Sequence, residues 1–102
     1  MIHVLATIDV AEGRREAFLA EFHRVVPLVR QEPGCLEYGP AIDVATGIAA
    51  QGPIRDHTVT VIEKWASIEA LHAHLATPHM ADYRARVREL VLAVRLQVLQ
   101  PA

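Results

Sequence analysis

An α+β fold built on an antiparallel sheet follows from three observations. Two segments alternate apolar and polar residues with a period of two, a long segment between them repeats its apolar residues at helical spacing, and two short helix signals separate the third strand from the last. With 102 residues the chain has room for one core, so residues 1–102 are expected to form a single domain.

The first strand spans Ile2 to Val10, with Ile2, Val4, Ala6, Ile8 and Val10 on one face and His3, Leu5, Thr7 and Asp9 on the other. From Glu12 the apolar residues Phe18, Leu19, Phe22, Val25, Val26 and Val29 fall on one helical stripe, and the helix should end before Pro33-Gly34. Pro27 removes one bond to the carbonyl of His23, which predicts a kink or break there. Cys35 to Val44 reads as a second strand, bulged or bent at Gly39-Pro40. Thr46 to Asp56, with Gly47, Gly52 and Pro53, is a long hairpin connection. His57 to Trp65 is the third strand, with Val59, Val61, Glu63 and Trp65 sharing a face. Ser67 caps a helix whose stripe reads Ile68, Leu71, His72 and Leu75, and Thr77-Pro78 opens another. Val94 to Leu99 is the fourth strand.

This order is the split strand-helix-strand plan of ferredoxin-like folds, an antiparallel sheet with its helices on one face. The strands carry apolar residues on both faces and the apolar fraction reaches 52%, so the open face calls for a cover. A second copy of the chain is the economical one, which predicts a homodimer.

Ten Lys plus Arg interspersed with twelve Asp plus Glu leave no basic patch, so nucleic acid is not an expected partner. A lone Cys35 and an N-terminus without the features of a signal peptide point to the cytoplasm. No apolar run is long enough for a membrane span, and no membrane partner is expected.

Three stretches, Glu32-Pro-Gly-Cys-Leu-Glu-Tyr38, Glu63-Lys-Trp65 and Ala73-His-Leu-Ala-Thr-Pro-His79, resemble the antibiotic biosynthesis monooxygenase family. The resemblance implies a dimeric α/β barrel, two sheets packed face to face, with a pocket in each subunit between sheet and helices. It also implies one of several chemistries: cofactor-free oxygenation of quinols and polycyclic phenols, oxidative breakdown of heme, or processing of small signalling sugars. The chain departs from the commoner family pattern between Gly39-Pro40 and Gly52-Pro53, where a longer connection replaces a plain hairpin.

The candidate catalytic residues are His79 and Glu63. His79 is the second helical residue after Thr77, where the helix N-terminus disfavours the charged ring, and a neutral imidazole accepts a phenol proton. Glu63 is the only acid on its strand face, and a carboxylate there must be functional or paired, with an arginine such as Arg84 or Arg95 across the sheet or dimer interface as the alternative partner. Trp65 at the strand end offers a ring for stacking on a planar substrate and an N–H donor. The heme-degrading branch uses a tryptophan at this strand end. Val61, on the same face, together with Thr7 and His57, completes the expected substrate-binding set, and His3 is a weaker candidate. Six histidines invite a metal reading, but their spacing completes no ligand set, so neither metal nor other cofactor is expected.

The resulting expectation is a cytoplasmic, homodimeric, cofactor-independent monooxygenase acting on a quinol or polyketide-like phenol with dioxygen. Two alternatives stand beside it. A non-catalytic binding or sensing dimer uses the same fold. Heme degradation is disfavoured, because that branch of the family relies on an asparagine in strand one and this chain contains none.

Overall fold

The computed structural model describes all residues from Met1 to Ala102. The elements run β1 (Ile2–Val10), α1 (Arg15–Arg30), β2 (Cys35–Ala41), β3 (Thr58–Trp65), α2 (Ile68–Leu75), α3 (Pro78–Val87) and β4 (Val91–Leu99). The strands form one antiparallel sheet in the order β2-β3-β1-β4, the ferredoxin-like α+β plan.

The period-two pattern places the core. Val4, Ala6 and Ile8 of β1 lie opposite Glu63, Val61 and Val59 of β3, and all six side chains are buried under the helices. Phe18, Phe22, Val25 and Val29 of α1 are fully buried against them, each worth about 1.5–3 kcal/mol of burial.

The opposite face is more mixed than the alternation implies. It presents Thr7 opposite Thr60, an Asp9–Arg95 ion pair and one exposed apolar pair, Leu5 and Ile62. A second uncovered apolar strip lies on the helix side. Val94, Leu96 and Val98 of β4 pair with Ile8, Ala6 and Val4, yet remain about half exposed because no helix extends over this edge strand.

Four local expectations need correction. Helix α1 runs unbroken through Pro27. Pro27 and His23 both lie on the exposed side, where water can satisfy the carbonyl that the proline leaves free. The irregularity in β2 falls between Cys35 and Glu37, whereas Gly39 and Pro40 pair regularly with Ile62 and Val61. Pro40 is tolerated because β2 is an edge strand. The buried stripe of α2 is Leu71 and His74, with Ile68, His72 and Leu75 exposed. Strand β4 starts three residues earlier than its alternation indicates, after a register shift opposite Asp9 and Val10. The long connection, residues 42–57, is held by the Arg55 guanidinium on both oxygens of Asp43 at 2.9 Å and by Gln51 Nε2 donating to the Val44 carbonyl at 2.7 Å.

Candidate active site

A cavity of about 330 Å³ opens between the inner face of the sheet and the three helices. Its sheet side carries Ala6, Ile8, Val61 and Glu63, its helix side Phe22, His74, Met80 and Tyr83, and its rim the half-exposed Val94 and Leu96. The mainly apolar wall with a few polar groups is the usual make-up of a small-molecule site. A larger hollow at the 42–57 connection is lined by Asp43, Gln51, Gly52, Pro53 and Arg55, with no apolar wall to strip water from a ligand.

On the sheet side, period-two geometry puts Glu63 and Trp65 on one face, and the indole Nε1–H donates to Glu63 Oε1 at 2.9 Å. Neither arginine reaches this carboxyl: Arg84 donates to the Leu75 carbonyl and Arg95 to Asp9. Burial without a cation pushes the Glu63 pKa up to about 7. The Trp65 hydrogen bond opposes this shift and the negative charge of Glu32 adds to it. Glu63 therefore exchanges a proton near neutral pH.

On the helix side, Ser67 caps α2 by accepting from the Ala70 amide at 3.1 Å, and the resulting register turns His74 inward. His74 Nδ1 lies 3.1 Å from each oxygen of Glu32, and His79 Nε2 lies 2.6 Å from Glu32 Oε2. We assign the ring N–H of each imidazole as the donor and the Glu32 oxygens as acceptors, a tautomer that leaves the His74 Nε2 lone pair free. Burial lowers the His74 pKa, and its contact with Glu32 works in the other direction. Gly34 makes this junction possible. Its φ is +82°, and a Cβ there would stand 2.7 Å from the Ala70 Cβ, so only glycine lets the Glu32 turn pack directly under α2.

Among the buried residues that line the cavity, four side-chain polar atoms have no hydrogen bond within the protein: His74 Nε2, Glu63 Oε2 and the hydroxyls of Tyr38 and Tyr83. No unpartnered side-chain N or O is sealed from solvent, so each retains access, and all four residues line the cavity. Burial raises the pKa of both tyrosines, which keeps their hydroxyls protonated as donors.

Of the residues singled out from sequence, Glu63 and Val61 line the cavity. Trp65 is fully buried behind Glu63, with its ring 4.7 Å from that of His74, and does not border the cavity. His79 stands one residue further out, beyond Glu32. Thr7 is on the opposite face of the sheet, and His57 is exposed just before β3. The residues that sequence reasoning passed over are His74 and Glu32. Both occur in the stretches carrying the family resemblance, and His74 follows Leu71 by the three residues of a helical turn. No group of three or more His, Cys, Asp or Glu side chains is arranged to hold a metal ion.

A half-covered antiparallel sheet with a cavity under its helices defines this protein as a ferredoxin-like α+β fold. Residues 1–86 match the antibiotic biosynthesis monooxygenase family, and the chain belongs to it. It is 41% identical over 103 aligned positions to the "Probable quinol monooxygenase YgiN" of Escherichia coli K12, an alignment covering 99% of this chain and 98% of that one. Among solved structures it is similar to PA3566 from Pseudomonas aeruginosa, with a TM-score of 0.81, 28% identity, and 99% and 93% of the two chains covered. It is likewise similar to Rv0793 from Mycobacterium tuberculosis, with a TM-score of 0.79, 27% identity, and 99% and 94% covered.

Proposed function

We propose that this protein is a cofactor-independent monooxygenase that oxidises a quinol or a related phenol with dioxygen. The observation that carries the reading is the apolar cavity lined both by His74, whose Nε2 has no partner within the protein, and by Glu63, whose carboxyl titrates near pH 7. The family membership and the quinol monooxygenase name of a 41% identical relative support it.

In this reading the ring of the substrate lies among Phe22, Val61, Met80 and Leu96, and its hydroxyl faces His74. The imidazole removes the hydroxyl proton, and the Tyr38 and Tyr83 hydroxyls stabilise the resulting oxyanion. The anion is electron-rich enough to reduce dioxygen by one electron. The resulting radical pair combines to a peroxide anion, which takes back the proton held on His74. The hydrogen on the oxygenated ring carbon then leaves as a proton, the new C=O forms as the O–O bond breaks, and the departing hydroxide takes the Glu63 proton to become water, Glu63 being restored by the proton lost from carbon. The apolar wall excludes bulk water from the reactive anion. Trp65 fixes the Glu63 carboxyl through its N–H, and His79 acts on the base through Glu32.

Oxygen uptake and product analysis on a panel of quinols test the proposal. The wild type should consume dioxygen with at least one of them, and His74→Ala should lower turnover by about 10²–10⁴, the usual weight of one general base. Turnover retained by His74→Ala would rule the base out. Ligand binding without turnover across the panel would favour a sensing module.

The working form we propose is a homodimer. The uncovered Val94, Leu96 and Val98 strip and the Leu5–Ile62 pair supply apolar surface for a second copy, and light scattering should give twice the chain mass. The single free Cys35 supports a reducing, cytoplasmic setting.

A further inference from the structure

The hydrogen-bonded set on the helix side extends past the cavity. Side-chain exposure rises from 2% at His74 to 8% at Glu32 and 24% at His79, so the three residues lead from the cavity wall towards solvent. Glu32 also borders a shallow groove outside α2, formed with Gly34, Ala70, Ala73 and Thr77. Two imidazoles thus share one carboxylate and have no other acidic hydrogen-bond partner.

Charge counting limits what this set can hold. With one imidazole protonated, the three residues are neutral together; with both protonated, a net positive charge is confined where His74 and Glu32 are almost completely buried. Desolvation penalises that second state. The positive charge of Arg84, on α3, disfavours a charged His74 further, as does that of His79. The other titratable groups bordering the cavity with His74 are Glu63 on β3, Tyr38 on β2 and Tyr83 on α3.

We propose that Glu32 couples His74 and His79 so that protons are exchanged one for one: as His74 Nε2 takes a proton from a bound hydroxyl, His79 releases its Nδ1 proton to solvent. The ligand O–H bond breaks, an N–H bond forms on His74, and an N–H bond breaks on His79 with the proton passing to water. No electron moves, and the three residues carry zero net charge before and after. Both hydrogen bonds to the carboxylate persist, so nothing has to rearrange during the exchange. The base is thereby charged next to the new oxyanion without adding a charge to the buried set. The role given to the ligand rests on the monooxygenase reading above; the coupling between the imidazoles does not.

The test is a pH titration of the histidine rings by NMR in the full chain. His79→Gln removes the competing charge and should move the His74 titration to higher pH. His79→Lys makes that charge permanent and should move it lower. Glu32→Gln removes the shared counter-ion and should lower the His74 titration by about 1 to 3 pH units. A His74 titration identical in wild type, His79→Gln and His79→Lys would overturn the coupling. Oxygen uptake on the quinol panel is read separately. Shifted titrations in a chain that oxidises no quinol would support the coupling and overturn only the assigned reaction.

Discussion

The two walls of the cavity each bury a carboxyl group, and they treat it in opposite ways. Glu63, on the sheet, is given a neutral indole N–H and no cation, and its pKa rises to about 7. Glu32, under the helices, is given two imidazoles at 3.1 and 2.6 Å. The same functional group becomes a proton-exchanging acid in one place and a holder of proton-exchanging partners in the other. A strand and a turn impose this difference. The strand offers alternate residues on one face, so the neighbour of Glu63 is Trp65; the turn at Glu32 meets α2 and α3, where His74 and His79 lie.

The largest expected effect comes from breaking the helix wall at Gly34. Gly34→Ala forces a residue with a side chain to φ +82° and sets its Cβ 2.7 Å from the Ala70 Cβ. Left-handed backbone costs about 1–2 kcal/mol and overpacking about 1–3, so urea unfolding should show a loss of about 2–5 kcal/mol. Adding Ala70→Gly should recover the packing part and leave the backbone part. A Gly34→Ala variant as stable as wild type would mean that the turn does not pack against α2 as described.

Next comes the pH response of the sheet wall. The folded chain holds the Glu63 proton up to about pH 7, against an ordinary 4.5, so it binds more protons than the unfolded chain between those values. Stability from this group is therefore full below 4.5 and is lost as pH rises to 7, by about 3 kcal/mol in all. Glu63→Gln keeps an acceptor for the Trp65 N–H but cannot titrate. Its stability relative to wild type should rise by about that amount between pH 4 and pH 8. A difference independent of pH would show that Glu63 ionises as an ordinary exposed acid does.

The same contrast explains what could be read in advance. Alternation in β1 and β3 places Glu63 on the buried face, because a period of two survives in a strand of eight or nine residues. Helix α2 has only eight residues, about two turns, and two competing stripes fit it equally. Counting His72 as apolar-facing selected the wrong one and hid His74. Glu32 was hidden for another reason: its partners are 42 and 47 residues away, and no local pattern links them. The start of β4 depends on a register shift against β1, which is a property of the pair and not of either strand.

The smallest expected effect probes how firmly the helix wall is set. The Ser67 hydroxyl accepts from the Ala70 amide at 3.1 Å and caps the N-terminus of α2. Ser67→Ala leaves that amide to water and should cost about 1 kcal/mol, while Ser67→Asp should restore it, since both oxygens of an aspartate can accept and its charge suits a helix N-terminus. The sheet wall makes no use of this cap, so the pH-dependent part of stability that belongs to Glu63 should be the same in all three proteins. The His74 ring, four residues beyond the capped amide and 4.7 Å from Trp65, should report the change in the alanine variant alone. If Ser67→Ala instead shifted the Glu63 titration as much as that of His74, the two walls would move as one body and the division between them would fail.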